Sequence, residues 1–134
     1  MEPAFEATTN GITVRVSVAY LDEHSAPSTG PFLWAYYITL INGGTKTVQL
    51  LRRSWQITDS TGRTLCVEGE GVVGEQPVLR PGMQFRYSSN TQLGTPSGFM
   101  VGTYHMQTLP EATLFDIAVP AFSLDSPYQD TQLH

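Results

Sequence analysis

The chain has 134 residues, 40% hydrophobic and only 14% charged, with a net charge of −5. Seven Lys and Arg, with Lys46 the sole lysine, are too few for a duplex-binding surface, because non-specific nucleic-acid affinity comes from many cationic phosphate contacts. No apolar run approaches the ~18 residues of a membrane span, and one domain of this length buries a core without disulfide or metal.

The N-terminal stretch MEPAFEATTNG has neither a basic nor an apolar region and does not read as a signal peptide. ITVRVSVAY then alternates, with Ile12, Val14, Val16, Val18 and Tyr20 on one face, which is the pattern of a half-buried strand. The polar LDEHSAPSTGP reads as a loop. FLWAYYITLI is apolar on both faces and is the best candidate for a central strand. NGGT, Asn42 to Thr45, is a turn signal, since Asn and Gly accept positive φ.

A strand around TVQLLR follows, then a hairpin of SWQITD, the turn DSTG and RTLCVE. Arg52 and Arg53 form the only basic pair and read as a solvated face. After the glycine-rich GEGVVGEQPVLRPG, MQFRYSS places Met83, Phe85 and Tyr87 on one face. QLGTPSG is a connection, and GFMVGTYHMQT aligns Met100, Tyr104 and Met106. TLFDIAVPAFSL is the last strand, broken or bulged at Pro120. These are seven to nine short antiparallel strands with no convincing helix, which predicts an immunoglobulin or fibronectin type III-like β-sandwich. It occupies residues 1–124 as one domain, and residues 125–134 form a polar, mobile tail.

GEGVVG, Gly69 to Gly74, fits G-x-G-x-x-G, the phosphate-cradling fingerprint of dinucleotide-binding folds. That fingerprint needs a helix at its third glycine and an acidic residue about 20 positions on. Pro77 and Pro81 deny the helix, and no Asp or Glu occurs from Gln76 through Pro110. The glycines therefore read as backbone devices at a bend between strands. A helix-free nest of amides that binds phosphate, pyrophosphate or a nucleotide weakly is the remaining chemical alternative for this segment.

GEGVVGEQPVLRPG, then FRYSS, then TPSGFMVGTYHM resemble the signature of the ApaG family, called CorD in bacteria. SWQITDSTG matches the family's S-W-x-I-x-D-x-x-G, and the resemblance spans about residues 8 to 125. One departure is Asn90, where glycine is common in the family; Asn tolerates left-handed φ, so a turn is expected there. The resemblance implies a fibronectin type III-like sandwich. It also implies a stand-alone bacterial domain linked by name and genetics to cobalt and magnesium efflux, with no enzymatic activity established for the class. Similar eukaryotic domains are joined to F-box proteins and to a polymerase delta-interacting protein, which implies a module that binds protein.

The residues themselves offer little chemistry. No G-x-S-x-G or Ser-x-x-Lys occurs. The histidines are His24, His105 and His134; a Cys66–His105 pair is conceivable, but Cys66 reads as a buried structural thiol. As the single cysteine it forms no internal disulfide, which fits a reducing, cytoplasmic setting. Direct divalent-metal binding would use Cys66, Glu68, Glu70 and His105, the first three sharing one face of a regular strand. No cofactor or dedicated metal site is expected. Partner recognition is expected around Gly69, Gly71, Gly74, Glu75, Pro77, Tyr87, Phe99 and Tyr104, with Trp34, Tyr36 and Tyr37 as a further aromatic set.

Overall fold

A computed structural model describes residues 4–22 and 31–128. It contains nine strands: β1 Ala4–Thr9, β2 Ile12–Tyr20, β3 Phe32–Asn42, β4 Thr47–Asp59, β5 Thr64–Glu70, β6 Val78–Leu79, β7 Gln84–Leu93, β8 Gly98–Leu109 and β9 Leu114–Leu124. All pairings are antiparallel. One sheet has the order β1-β2-β3-β7 and the other β5-β4-β8-β9, with β6 added to β4. No α-helix occurs among the described residues. Each sheet has one apolar face, and stacking the two faces is how such a chain hides both from water. The sandwich read from the alternation is the fold.

β2 and β3 behave as their patterns require. Ile12, Val14 and Val16 point inward, as do Trp34, Tyr36, Ile38 and Leu40. β3 is central in its sheet, but only one face is fully buried, since Tyr37 is 47% exposed. β1 was not anticipated. Its turn, Asn10–Gly11, has positive φ at both residues (52° and 78°), the geometry of a two-residue hairpin that matches strand twist. The polar loop expected at 21–31 lies mainly outside the described residues, as does His24.

Three expectations need correction. Asn42–Thr45 is a crossover between sheets, with no positive φ at Asn42, Gly43 or Gly44. Asn42 is instead a buried staple: its Nδ2 donates to Lys46 O at 2.8 Å and Leu79 O at 2.9 Å, and its Oδ1 accepts from Gly44 N. Ser88–Asn90 is not a turn; it is interior to β7, paired with Tyr37, Tyr36 and Ala35. TVQLLR and SWQITD are one strand, β4. It stays continuous because Leu51 bulges: Leu50 and Arg52 face the consecutive Met106 and His105. Side-chain direction has a period of two, so the extra residue reverses the facing of everything after it. Leu50 points inward, and so do Arg53 and Trp55, opposite Tyr104 and Gly102.

Other local signals hold. Asp59 Oδ1 caps the DSTG turn by accepting from Thr61 N (2.9 Å), Thr61 Oγ1 (2.7 Å) and Arg63 N (3.1 Å). Pro120 lies at a bulge, because Val101 alone faces Pro120 and Ala121 between the pairs Met100–Phe122 and Gly102–Val119. β9 is an edge strand, where a missing N–H is tolerated. Ser126 is buried and donates to Pro96 O at 2.6 Å, and Tyr128 packs on Tyr20 and Phe32. The rest of the expected tail, 129–134, lies outside the described residues, with His134.

Candidate functional site

The glycine motif ends β5 and forms a hairpin of its own. Val72 and Glu75 bridge through Val72 N to Glu75 O (2.8 Å) and Glu75 N to Val72 O (2.9 Å). Between them, Val73 and Gly74 both have positive φ (43° and 84°), the two-residue turn that glycine or asparagine normally supplies. Gly71 also has positive φ (64°), and a Cβ there would lie 2.2 Å from Glu75 O. Gly69 serves a different need. A Cβ there would lie 2.9 Å from Nη1 of Arg53, whose guanidinium crosses the strand at that point.

Arg53 fastens the hairpin. Its Nη1 donates to Gly71 O at 2.8 Å and Glu70 O at 3.3 Å. It has no carboxylate partner among the described residues. Beside it a cavity of about 380 Å³ opens between the sheets, lined among others by Tyr36, Arg53, Trp55, Val72, Tyr87 and Ser89. Tyr87 and Tyr104 share a 2.5 Å hydroxyl contact. Burial pushes both phenols up from their ordinary value of 10.0, and Arg53 opposes that rise only in part. Burial raises Tyr36 too, against a hydrogen bond with Ser89 and the same arginine. Two neutral phenols, Tyr36 and Tyr87, and one cation therefore line this space, with the Tyr104 hydroxyl buried behind Tyr87. The Trp55 Nε1–H is buried without a hydrogen-bond partner among the described residues.

The hairpin amides are poorly placed for phosphate. Those of Gly71, Val72 and Glu75 already donate to Leu51, Glu75 and Val72. The hollow outside the hairpin, about 300 Å³, is lined by Glu70 and Glu75, whose charge repels an anion.

The outer face of the same sheet carries a second polar constellation that the sequence reading missed. Ser54 Oγ contacts His105 Nε2 at 2.8 Å, and His105 Nδ1 contacts Asp116 Oδ1 at 2.9 Å. The line crosses β4, β8 and β9, so no local motif announces it. Its members match a nucleophile–base–acid triad in type. Yet Ser54 lies mid-sheet, paired with both Glu68 and Thr103, so its neighbourhood supplies no free amide pair for an oxyanion. Asp116 is 63% exposed, unlike the buried carboxylate such triads use.

Of the residues singled out from sequence, Gly69, Gly71, Gly74, Glu75 and Pro77 cluster at the hairpin, and Tyr87 lines the cavity. Tyr104 is 0% exposed, so it supports Tyr87 and is not itself a contact surface. Phe99 is exposed and pairs with Thr58 and Ser123, away from the hairpin. Trp34 and Tyr36 are core residues, while Tyr37 is half exposed. Cys66 is exposed rather than buried, because it points outward from an edge strand. Cys66 pairs with Gln56, and His105 with Arg52 and Asp116, so the imagined thiol–imidazole pair does not form. Among the described residues no group of three His, Cys, Asp or Glu is gathered for a metal, and no helix is long and apolar enough to cross a membrane.

The profile of the ApaG domain matches residues 22–108. The chain belongs to the ApaG family. It is 54% identical over 130 residues to Protein ApaG of Paramagnetospirillum magneticum, covering 97% of this chain and 99% of the relative. With Protein ApaG of Parvibaculum lavamentivorans it shares 48% identity over 130 residues, at the same 97% and 99% coverage. A Bordetella pertussis crystal structure described as ApaA superposes with TM-score 0.84 at 36% identity, over 96% of this chain and 99% of that one. The C-terminal domain of wzt shares the fold alone, with TM-score 0.52 at 11% identity over 91% of this chain and 77% of that one. The ApaG signature is thereby given a physical role here. Its first two glycines make room for the guanidinium of Arg53 and for a hairpin that Arg53 holds closed.

Proposed function

We propose that this ApaG-family chain is a non-enzymatic binding module that recognises a protein partner along the β5 edge and the glycine hairpin. The observation that carries this reading is the edge itself. Among the described residues β5 has one ladder partner, β4, so its outer side is open to an added strand. Along that edge Leu65 is 62% exposed, Val73 on the hairpin 55%, and Val78 on β6 45%. Exposed apolar side chains beside an open ladder suit strand addition, with main-chain bonds supplying affinity and side chains supplying selectivity. The non-enzymatic part rests on the missing oxyanion donors around Ser54. Any part in cobalt or magnesium homeostasis then runs through the partner. Affinity capture from a bacterial lysate, with wild type beside Leu65→Lys and Val73→Lys, tests the surface. Loss of the same protein from both variants is expected, with Phe99→Lys retaining it. Retention by all three variants sinks the reading.

A further inference from the structure

The space behind the signature hairpin has a chemistry that partner recognition on the edge does not use. The cavity of about 380 Å³ lies at the small end of ligand cavities, which run from about 300 to 1,000 Å³. No Asp or Glu lines it. At one side stands Arg53, whose Nη1 is engaged by Gly71 and Glu70 carbonyls and whose Nε and Nη2 have no protein acceptor among the described residues. An arginine held by carbonyls and facing no carboxylate keeps its full positive charge. Around it are the Tyr87 and Ser89 hydroxyls. Tyr87 and Tyr104 have two hydroxyl protons and one shared contact, so a proton remains for another acceptor.

Trp55 adds a second unmet donor. Its Nε1–H is buried and has no hydrogen-bond partner among the described residues. Gly102 abuts the Cε3–Cζ3 edge of that ring, the side away from the N–H. The rest of the lining is mixed: Ile57, Val67, Val72, Val73 and Met100 are apolar, and Asn90 and Thr91 are polar and uncharged. A cation, a phenol with a proton to spare and aliphatic side chains line one cavity, which is the complement of a small anion that carries an apolar body.

We infer that the inter-sheet cavity binds a small organic carboxylate, its charge on the Arg53 guanidinium and its apolar body against Ile57, Val67 and Met100. Inorganic phosphate or pyrophosphate matches the cation but leaves the aliphatic walls unfilled. The ApaG glycines enter this site as its frame: Gly69 admits the guanidinium and Gly71 orients it.

The test is a titration of the ¹⁵N-labelled full chain with phenylacetate, with acetate and inorganic phosphate run beside it. The Trp34 indole, already donating to Asp125 O at 2.8 Å, is an internal reference. Phenylacetate is expected to give saturable shifts at the Trp55 indole and the Val72 and Val73 amides, with Trp34 unmoved. Acetate is expected to bind more weakly. Arg53→Gln is expected to weaken phenylacetate at least about tenfold, the loss of one charge-assisted contact. Val67→Phe, which fills the cavity and spares Arg53, is expected to abolish binding while the Trp34 indole keeps its position. Absence of saturable shifts up to about 10 mM, a concentration that reveals even a Kd in the millimolar range, overturns the proposal. Unchanged affinity in Val67→Phe, or phosphate binding at least as tight as phenylacetate, overturns it as well.

Discussion

The two faces of the five-stranded sheet hold the same kinds of side chain in different settings. On the outer face Arg52 reaches Glu68 at 3.3 Å with both side chains more than half exposed. Beside it run Ser54, His105 and Asp116. On the inner face Arg53 meets carbonyls, Tyr87 and Trp55 line a partly closed cavity, and Tyr104 is buried behind Tyr87. Water screens the outer groups and offers each an alternative partner, so their contacts contribute little. Inside, an unmet donor or a misplaced methyl has no such alternative. The triad-like line is thus a surface network, whereas the less familiar inner cluster is where chemistry concentrates.

The largest expected effect is on the inner face. Gly102→Val puts a Cβ 2.5 Å from the Trp55 ring and 3.2 Å from Ser54 O, and overpacking a core costs about 1–3 kcal/mol, with ring and backbone contacts placing this change at the upper end. Urea unfolding of Gly102→Val against wild type measures it; a cost under about 1 kcal/mol would mean that the Trp55 packing described here is wrong.

An intermediate effect concerns pH. Tyr87 and Tyr104 are held neutral above the ordinary 10.0. Their contribution is fully present below pH 10, where neither folded nor unfolded chain is ionised. It is lost above that, because the unfolded chain ionises first, and the loss continues until the folded phenols ionise. Stability is therefore expected to be level with respect to these groups up to pH 10 and to fall beyond it. Tyr104→Phe should lower neutral-pH stability by about 1–2 kcal/mol through the orphaned Tyr87 hydroxyl, and should make the alkaline fall shallower. Denaturant midpoints at pH 8 and pH 11 decide it.

The smallest effect belongs outside. Asp116→Asn is expected to change stability by less than about 1 kcal/mol, as exposed ion pairs do. In the same variant series, a fluorophosphonate probe should leave Ser54 unlabelled in wild type. Labelling that disappears in Asp116→Asn would make the outer line a working triad and reverse the contrast between the faces.

Much of the framework was legible along the chain. Alternation located β2, β7, β8 and β9, because a strand with one wet face must write its orientation every second residue, and β3 was located by an apolar run on both faces. Pro120 and the Asp59 turn were readable because their constraints are local to one or two residues. The signature glycines were recognisable as backbone devices, since two prolines excluded the helix alternative. The Asn10–Gly11 hairpin was missed, because it closes a short stretch whose strand pattern is weak.

The site was not legible, and Leu51 shows why. The pair Arg52–Arg53 looks like one solvated patch in sequence, yet one guanidinium lies outside and the other between the sheets. Which one turns inward depends on a single extra residue in β4, and a bulge is an event of pairing with β8 rather than a property of TVQLLRRSW. The same shift moved Ser54 out to His105 and Trp55 in to Gly102. The chain by itself determined strands, turns and a family signature, all set by neighbours in sequence. Which polar groups meet, and on which face, was decided only when β4 found its register between β5 and β8.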